Sequence, residues 1–184
     1  MKDKGLVDPS RLIAVGLIVV VIAAIGFFGF RHDGPRPSPN DWRNINIAQS
    51  NFGVTAPGAF FTGEQNMNFD GIDTLVQTYL VPDRGTDYTV LAARRPEGDK
   101  RAFDEIAKDM KITGAASPQQ IGGFTVYRHD VTLGGTRTQA AIFMRDYLLY
   151  QLMVSAPVKS FSTEKAERYF NSFHLLNNPA SQPH

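Results

Sequence analysis

The longest apolar run in the chain is Leu12 to Phe30, LIAVGLIVVVIAAIGFFGF, nineteen residues without a charged or strongly polar side chain. At about 1.5 Å per residue a helix of this length spans ~28 Å, close to the ~30 Å hydrocarbon thickness of a bilayer. Arg11 bounds it on one side and Arg31, His32 and Asp33 on the other. A charge at the centre of a spanning helix costs roughly 2.5–3.5 kcal/mol, so these edges set the register. The pattern predicts a single transmembrane helix over 12–30, behind a short leader, 1–11. A cleaved signal peptide is the rival reading. It needs an apolar run of about 7–15 residues followed by a small-x-small site. Ala24 and Gly26 could form such a site, but the run continues through Phe27, Phe28 and Phe30. A buried core helix is the other rival, and no helical projection of this run has a polar face.

After Phe30 the pattern turns polar. Pro35, Pro37 and Pro39 alternate with polar residues, and proline fixes φ and removes a donor, so 31–47 reads as a semi-rigid, Pro-rich linker. Its Pro-x-Pro spacing also fits an SH3-type ligand. The polar 177–184 reads as a disordered tail. Residues 48–176 make one candidate soluble domain. Phe52, Val54 and Ala56 alternate before Pro57-Gly58, which predicts a strand. GIDTLVQTYLVPD and DYTVLAARRP read as two more. Phe103, Ile106, Ala107 and Met110 then recur at i, i+3, i+4 and i+7, between a possible Asp99 cap and Gly114, which predicts a helix over 100–112. Gly122-Gly123 and Gly134-Gly135 bracket FTVYRHDVTL, and TRTQAAIFMR and YLLYQLMVSAP follow. This predicts a three-stranded antiparallel meander, with a short strand through Ile121 as an optional addition before it. In its last strand Leu148, Tyr150, Leu152 and Val154 face one way, and Tyr147, Leu149 and Met153 the other, so both faces are apolar. Ala166, Tyr169, Phe170 and Phe173 predict a second helix starting near Ser162-Thr163. Strands and two separated helices in this order imply an α+β fold, an antiparallel sheet covered by helices.

Composition narrows the function classes. The 184 residues carry Lys+Arg 19 against Asp+Glu 18, a formal charge of +1, which gives no basic footprint for nucleic acid. Cysteine is absent, which excludes disulfides, thiolate metal sites, Cys nucleophiles and a lipid-modified N-terminal cysteine. Lys2, Lys4 and Arg11 precede the apolar run, and Arg31, Arg36 and Arg43 follow it, so the positive-inside count is a tie. The leader is too short to hold a core, and larger domains translocate largely regardless of charge. The expected location is the cytoplasmic (inner) membrane, single-pass, with the N-terminus inside and the domain extracytoplasmic.

The segments NFGVTAPGAF, DYTVLAARRP, IGGFTVYRHD, YLLYQLMVSAP and AERYFNSFHLL together resemble the fold family of the PsbP extrinsic subunit of photosystem II. That family also includes a nuclear Ran-binding protein and many bacterial envelope proteins. The resemblance covers about 130 residues and is carried by strands and core positions; the aromatic helix running into Ser172-Phe173-His174-Leu175 is its most specific part. It implies an α-β-α sandwich serving as a binding or adaptor module, and it offers no shared catalytic motif. The chain departs from the plant subunits in its predicted anchor, which puts a photosynthetic role in doubt.

Candidate chemistry is sparse. Ser172 and His174 lie two apart without a G-x-S-x-G elbow, and short-range Ser and His at a helix end are far more often structural. His129 and Asp130 are neighbours in a predicted strand and point to opposite faces, so they do not serve one metal site unaided. Asp99, Asp104, Glu105 and Asp109 interleave with Lys100, Lys108 and Lys111 as a solvated helix face. The glycine pairs match no phosphate-binding motif. Arg94, Arg95, Arg128, Arg137 and Arg145 form a cationic set able to meet an anionic partner or lipid headgroups, with surface salt-bridging as the alternative. Arg137 and Arg145 share a face by parity. From residue 48 onward 13 Lys+Arg face 14 Asp+Glu, a net of −1. No catalytic, cofactor-binding or metal-binding residues are assigned. The expectation is a non-catalytic, membrane-anchored envelope module engaging the bilayer through 12–30 and an envelope protein partner. The alternative is a small-ligand-binding or hydrolytic domain with an apolar pocket between sheet and helix.

Overall fold

The computed structural model describes residues 41–69, 72–94, 118–121 and 124–176. Among them, strands run in chain order β1 (Arg43–Ile47), β2 (Phe52–Ala56), β3 (Phe61–Phe69), β4 (Ile72–Asp83), β5 (Thr86–Arg94), β6 (Pro118–Ile121), β7 (Phe124–Leu133), β8 (Thr136–Arg145) and β9 (Leu148–Pro157). Helix α1 (Thr163–Asn171) and strand β10 (His174–Leu175) close the sequence of elements. The strands form two sheets, β1-β2-β10 and β3-β4-β5-β9-β8-β7-β6, and every pairing is antiparallel.

This corrects the expected fold class. The described residues form mostly antiparallel β-sheet with one α-helix, not an α-β-α sandwich. Among the described residues no helix is long and apolar enough to cross a membrane. The helices expected over 12–30 and 100–112 lie outside the described residues. The physical reason for the shift toward β is that backbone pairing extends the sheet at both edges: β3 pairs with β4 and β6 with β7, which gives seven strands among the described residues. Strand β3, FTGEQNMNF, has no apolar period to announce it, and β1 occupies the last five residues of the stretch read as linker.

Two-residue hairpins build most of the large sheet. Arg84 and Gly85 (φ 48° and 81°) join β4 to β5, and Gly134 and Gly135 (φ 57° and 80°) join β7 to β8. Positive φ at both central residues gives the turn the twist of its strands. The predicted meander is present as β7-β8-β9, with β6 added at its edge. β9 lies at the centre of the large sheet, and Tyr150 to Val154 are all buried.

The core lies between one face of the large sheet and a layer made of α1 and the small sheet. Phe52 reaches down from β2 to Tyr79 and Tyr150 at 5.2 and 6.2 Å. Phe173 stacks on Phe52 at 5.7 Å and meets Phe143 and Tyr150 edge-on at 4.9 and 5.4 Å. Helix α1 begins where Ser162 Oγ accepts from Lys165 N–H, and it turns Ala166, Tyr169 and Phe170 inward. Its end is tied to β2, because Thr55 N–H donates to Ser172 Oγ at 2.8 Å. The opposite face of the large sheet is also buried at Leu80, Thr89, Leu91, Thr138, Ala140, Ile142 and Met153.

Gly53 in β2 is opposite Asn46 on one side and His174 on the other. A Cβ there would sit 2.5 Å from Asn46 Oδ1 and closer still to His174 Nε2. Gly53→Ala is therefore expected to destabilise the fold by about 1–3 kcal/mol. Because the His174 ring is exposed and can be removed, the same change in a His174→Ala background is expected to cost less. Equal cost in both backgrounds, read from urea midpoints, would place the strain elsewhere.

Candidate functional site

The antiparallel register gives the large sheet two ends. At one end lie the β4–β5 turn, the β7–β8 turn and residues Val158–Ser160, where Val158 N–H donates to the Gly135 carbonyl at 3.0 Å. At the other end lie Arg94 closing β5, the Asp146-Tyr147 turn between β8 and β9, and Phe124 opening β7.

The arginines separate by what they touch. Arg128 pairs with Glu167 of α1 and stacks on Phe170 at 4.6 Å, so it ties sheet to helix. Arg137 forks onto Asp130, with Nε to Oδ1 at 3.0 Å and Nη2 to Oδ2 at 2.5 Å. That fork holds the Asp130 carboxyl below the ordinary carboxylate range. Arg137 also lies over Phe161 at 4.6 Å. For these two the salt-bridging alternative holds.

Arg94 and Arg145 differ. Among the described residues no carboxylate lies within ion-pair distance of Arg94, whose guanidinium rests 5.0 Å above the Tyr147 ring. Arg145 lies 5.7 Å over Phe124 and 3.7 Å from Asp146. With side chains 58% and 75% exposed, that ion pair is worth about 0–1 kcal/mol. In register, Leu148 of β9 is opposite Arg94 of β5 and also opposite Arg145 of β8. The three form one cross-strand row on one sheet face, with the arginine backbones about 10 Å apart. An arginine stacked on a ring keeps its N–H donors around the edge of its plane, free to fork onto a carboxylate. The row is an Arg-Leu-Arg strip with two exposed arginines on aromatic rings and a half-buried leucine between them; arginine is enriched at protein-contact hot spots.

The other candidates take structural places. His174 Nδ1 contacts the backbone carbonyl of Ser172 at 3.0 Å, while Ser172 Oγ donates to the Tyr169 carbonyl at 2.7 Å. The serine hydroxyl is thus spent on the end of α1 and is not presented to an imidazole base. His129 and Asp130 do face opposite ways, and burial lowers the His129 pKa, favouring the neutral ring. Among the described residues no group of three or more His, Cys, Asp or Glu could hold a metal. Arg95 and the carboxylates Asp99, Asp104, Glu105 and Asp109 lie outside the described residues. Where a pocket between sheet and helix was the alternative, the rings of Phe52, Phe143, Tyr150 and Phe173 are in contact with one another. Arg137 and Arg145 do share a face with Arg94. In the sequence Leu148 and Tyr147 are read only as opposite faces of the last meander strand and Phe124 only as the start of a strand, none of them as part of a site; the available signal was an aromatic residue beside Arg145.

No protein-family model matches the chain, and no curated protein matches it. Solved structures similar to it include the solution structure of cyanobacterial PsbP (CyanoP) from Synechocystis sp. PCC 6803, at 14% identity and a TM-score of 0.48, covering 80% of this chain and 99% of that one. A crystal structure from Bacteroides thetaiotaomicron aligns at 14% identity and a TM-score of 0.46 over 72% of this chain. The alignment spans 47% of that longer chain. The first bears the name of the family that the sequence resembles. The likeness is one of fold and carries nothing about activity, ligand or partner.

Proposed function

We propose that this chain is a non-catalytic binding module, tethered to the cytoplasmic membrane by its apolar segment 12–30, that engages an acidic stretch of an envelope protein. The observation that carries the reading is the row Arg94–Leu148–Arg145. Two guanidinium groups sit on rings at one end of the sheet, with an apolar side chain between them. Carboxylates spaced along a partner strand or loop would meet the two forks, and Leu148 would supply the dry centre that raises their strength. The tether rests on the nineteen-residue charge-free run. The non-catalytic reading is supported by the spent Ser172 hydroxyl and by His129 and Asp130 facing apart.

The absence of cysteine allows a direct test. An Asp146→Cys variant carrying a photoactivatable benzophenone, irradiated in native membranes, is expected to give a discrete protein adduct. Arg94→Glu/Arg145→Glu is expected to reduce that adduct roughly ten-fold or more, the equivalent of about 1.4 kcal/mol of lost affinity. The same double change should alter stability by no more than about 0.5 kcal/mol per site, because both side chains are exposed. An adduct indifferent to charge reversal, or none at all, would overturn the assignment.

A further inference from the structure

We infer that the turn-bearing end opposite the arginine row is a lipid-contacting surface, seated on anionic headgroups by Leu133, Val158, Arg84 and Lys159. The inference rests on the tethering reading and adds an orientation to it. Among the described residues three large apolar side chains are exposed: Leu133 at 54%, Val158 at 48% and Leu75 at 48%. Two of them share this one end. Leu133 is the last residue before the Gly134-Gly135 turn, and Val158 is held beside that turn by its N–H bond to Gly135. The tight turn makes a narrow tip, which presents Leu133 outward instead of folding it back. Arg84, at the neighbouring turn, and Lys159, next to Val158, are both exposed and flank the apolar pair with positive charge. Asp83 sits behind this rim, 9% exposed, with Lys165 at 4.0 Å.

The path of the chain selects the occupant. Trp42, near the start of the described residues, packs on Tyr88 at 5.4 Å, and Arg168 lies over it at 4.5 Å. Tyr88 is two residues into β5 from the Arg84-Gly85 turn, so residue 42 enters the fold close to this end. Only ten residues, 31–40, separate the apolar segment from Asp41, and they reach at most about 35 Å. The bilayer is therefore the surface held within range of this end. Two apolar residues and two cations are weak alone, but a tether makes the contact intramolecular and lets weak terms fix an orientation. Anionic headgroups attract juxtamembrane cations in the same way. With this end on the bilayer, the arginine row at the far end of the strands projects away from it.

The cysteine-free full chain, reconstituted in vesicles of phosphatidylcholine with or without phosphatidylglycerol, tests this. An environment-sensitive fluorophore is attached at Leu133→Cys, Val158→Cys or Leu75→Cys, Leu75 lying toward the other end of the sheet. Lipid-borne nitroxide is expected to quench the labels at 133 and 158 about two-fold or more above the label at 75, and more strongly with phosphatidylglycerol present. Arg84→Glu/Lys159→Glu should remove the phosphatidylglycerol-dependent part. Equal quenching at all three sites would overturn the orientation, and quenching indifferent to phosphatidylglycerol would overturn the headgroup recognition. Flotation of the unlabelled chain with the vesicles separates the two readings. A chain that does not float refutes the tether. A chain that floats with labels 133 and 158 in water refutes this surface alone.

Discussion

Phe173→Ala is expected to lower the unfolding free energy by about 3–5 kcal/mol, a large fraction of what holds a domain of this size together. Phe173 is 3% exposed and lies just past the end of α1, where its ring touches Phe52, Phe143 and Tyr150. Those three rings come from three different strands, one of them in the small sheet. Removing the phenyl group therefore opens a cavity between the two sheets, in a place where neighbours anchored on hydrogen-bonded strands cannot collapse inward. Phe173→Leu keeps much of the volume and should cost clearly less. Denaturant unfolding of the full chain reads both, as a lower midpoint at unchanged slope. A cost below about 1 kcal/mol for the alanine variant would mean that the ring is not clamped between the sheets.

The second large effect lies at high pH. Tyr88, Tyr150 and Tyr169 are fully buried, and burial is the leading cause raising each phenol pKa above its ordinary value of 10.0. The unfolded chain loses these protons near pH 10, whereas the folded chain keeps them. Above pH 10 the folded state thus binds more protons, and stability falls as pH rises. Below pH 10 both states are protonated, and the contribution is fully present and constant. Each tyrosine adds a slope of at most about 1.4 kcal/mol per pH unit, or about 4 kcal/mol per unit for the three. Urea midpoints should be insensitive to these groups up to pH 10 and then drop steeply. Tyr88→Phe and Tyr169→Phe remove hydroxyls that have no hydrogen-bond partner among the described residues. Each should flatten the alkaline drop without loss of stability at neutral pH. Tyr150→Phe should flatten it too, but at a cost of about 1 kcal/mol or more, because the Tyr150 hydroxyl donates to the Ser50 carbonyl at 2.8 Å. Midpoints unchanged through pH 11 would show that these phenols ionise without unfolding the protein.

Much of the local structure was legible in the residues. The glycine pair at 134–135 specified a hairpin because few other residues tolerate positive φ twice in succession. Arg84-Gly85 does the same between β4 and β5, although arginine there offers no such signal. The Ala166, Tyr169, Phe170 spacing located α1, and parity placed Arg137 and Arg145 on one face. Strand β3 was not legible, because its pairing with β4 rests on backbone hydrogen bonds that any side chain permits. The size of the sheet was misjudged for a related reason. An apolar run with residues on both parities declares a two-faced strand, but it does not say whether its neighbours are further strands or helices.

The candidate site shows the same division. Sequence alone placed Arg94, Arg128, Arg137 and Arg145 in strands, and established that the chain has no cysteine and that one run of nineteen residues carries no charge. It also established, by the two-residue repeat of a strand, which arginines share a face. Only the tertiary structure decided that Arg128 and Arg137 are consumed by Glu167 and Asp130, while Arg94 and Arg145 lie on rings on either side of Leu148. Those outcomes depend on β5 pairing with β9 rather than with β6, the next strand among the described residues. Periodicity is set by neighbours along the chain and can be read from them. The adjacency of distant strands is set by the burial and hydrogen bonding of the whole sheet, and no local stretch of sequence contains it.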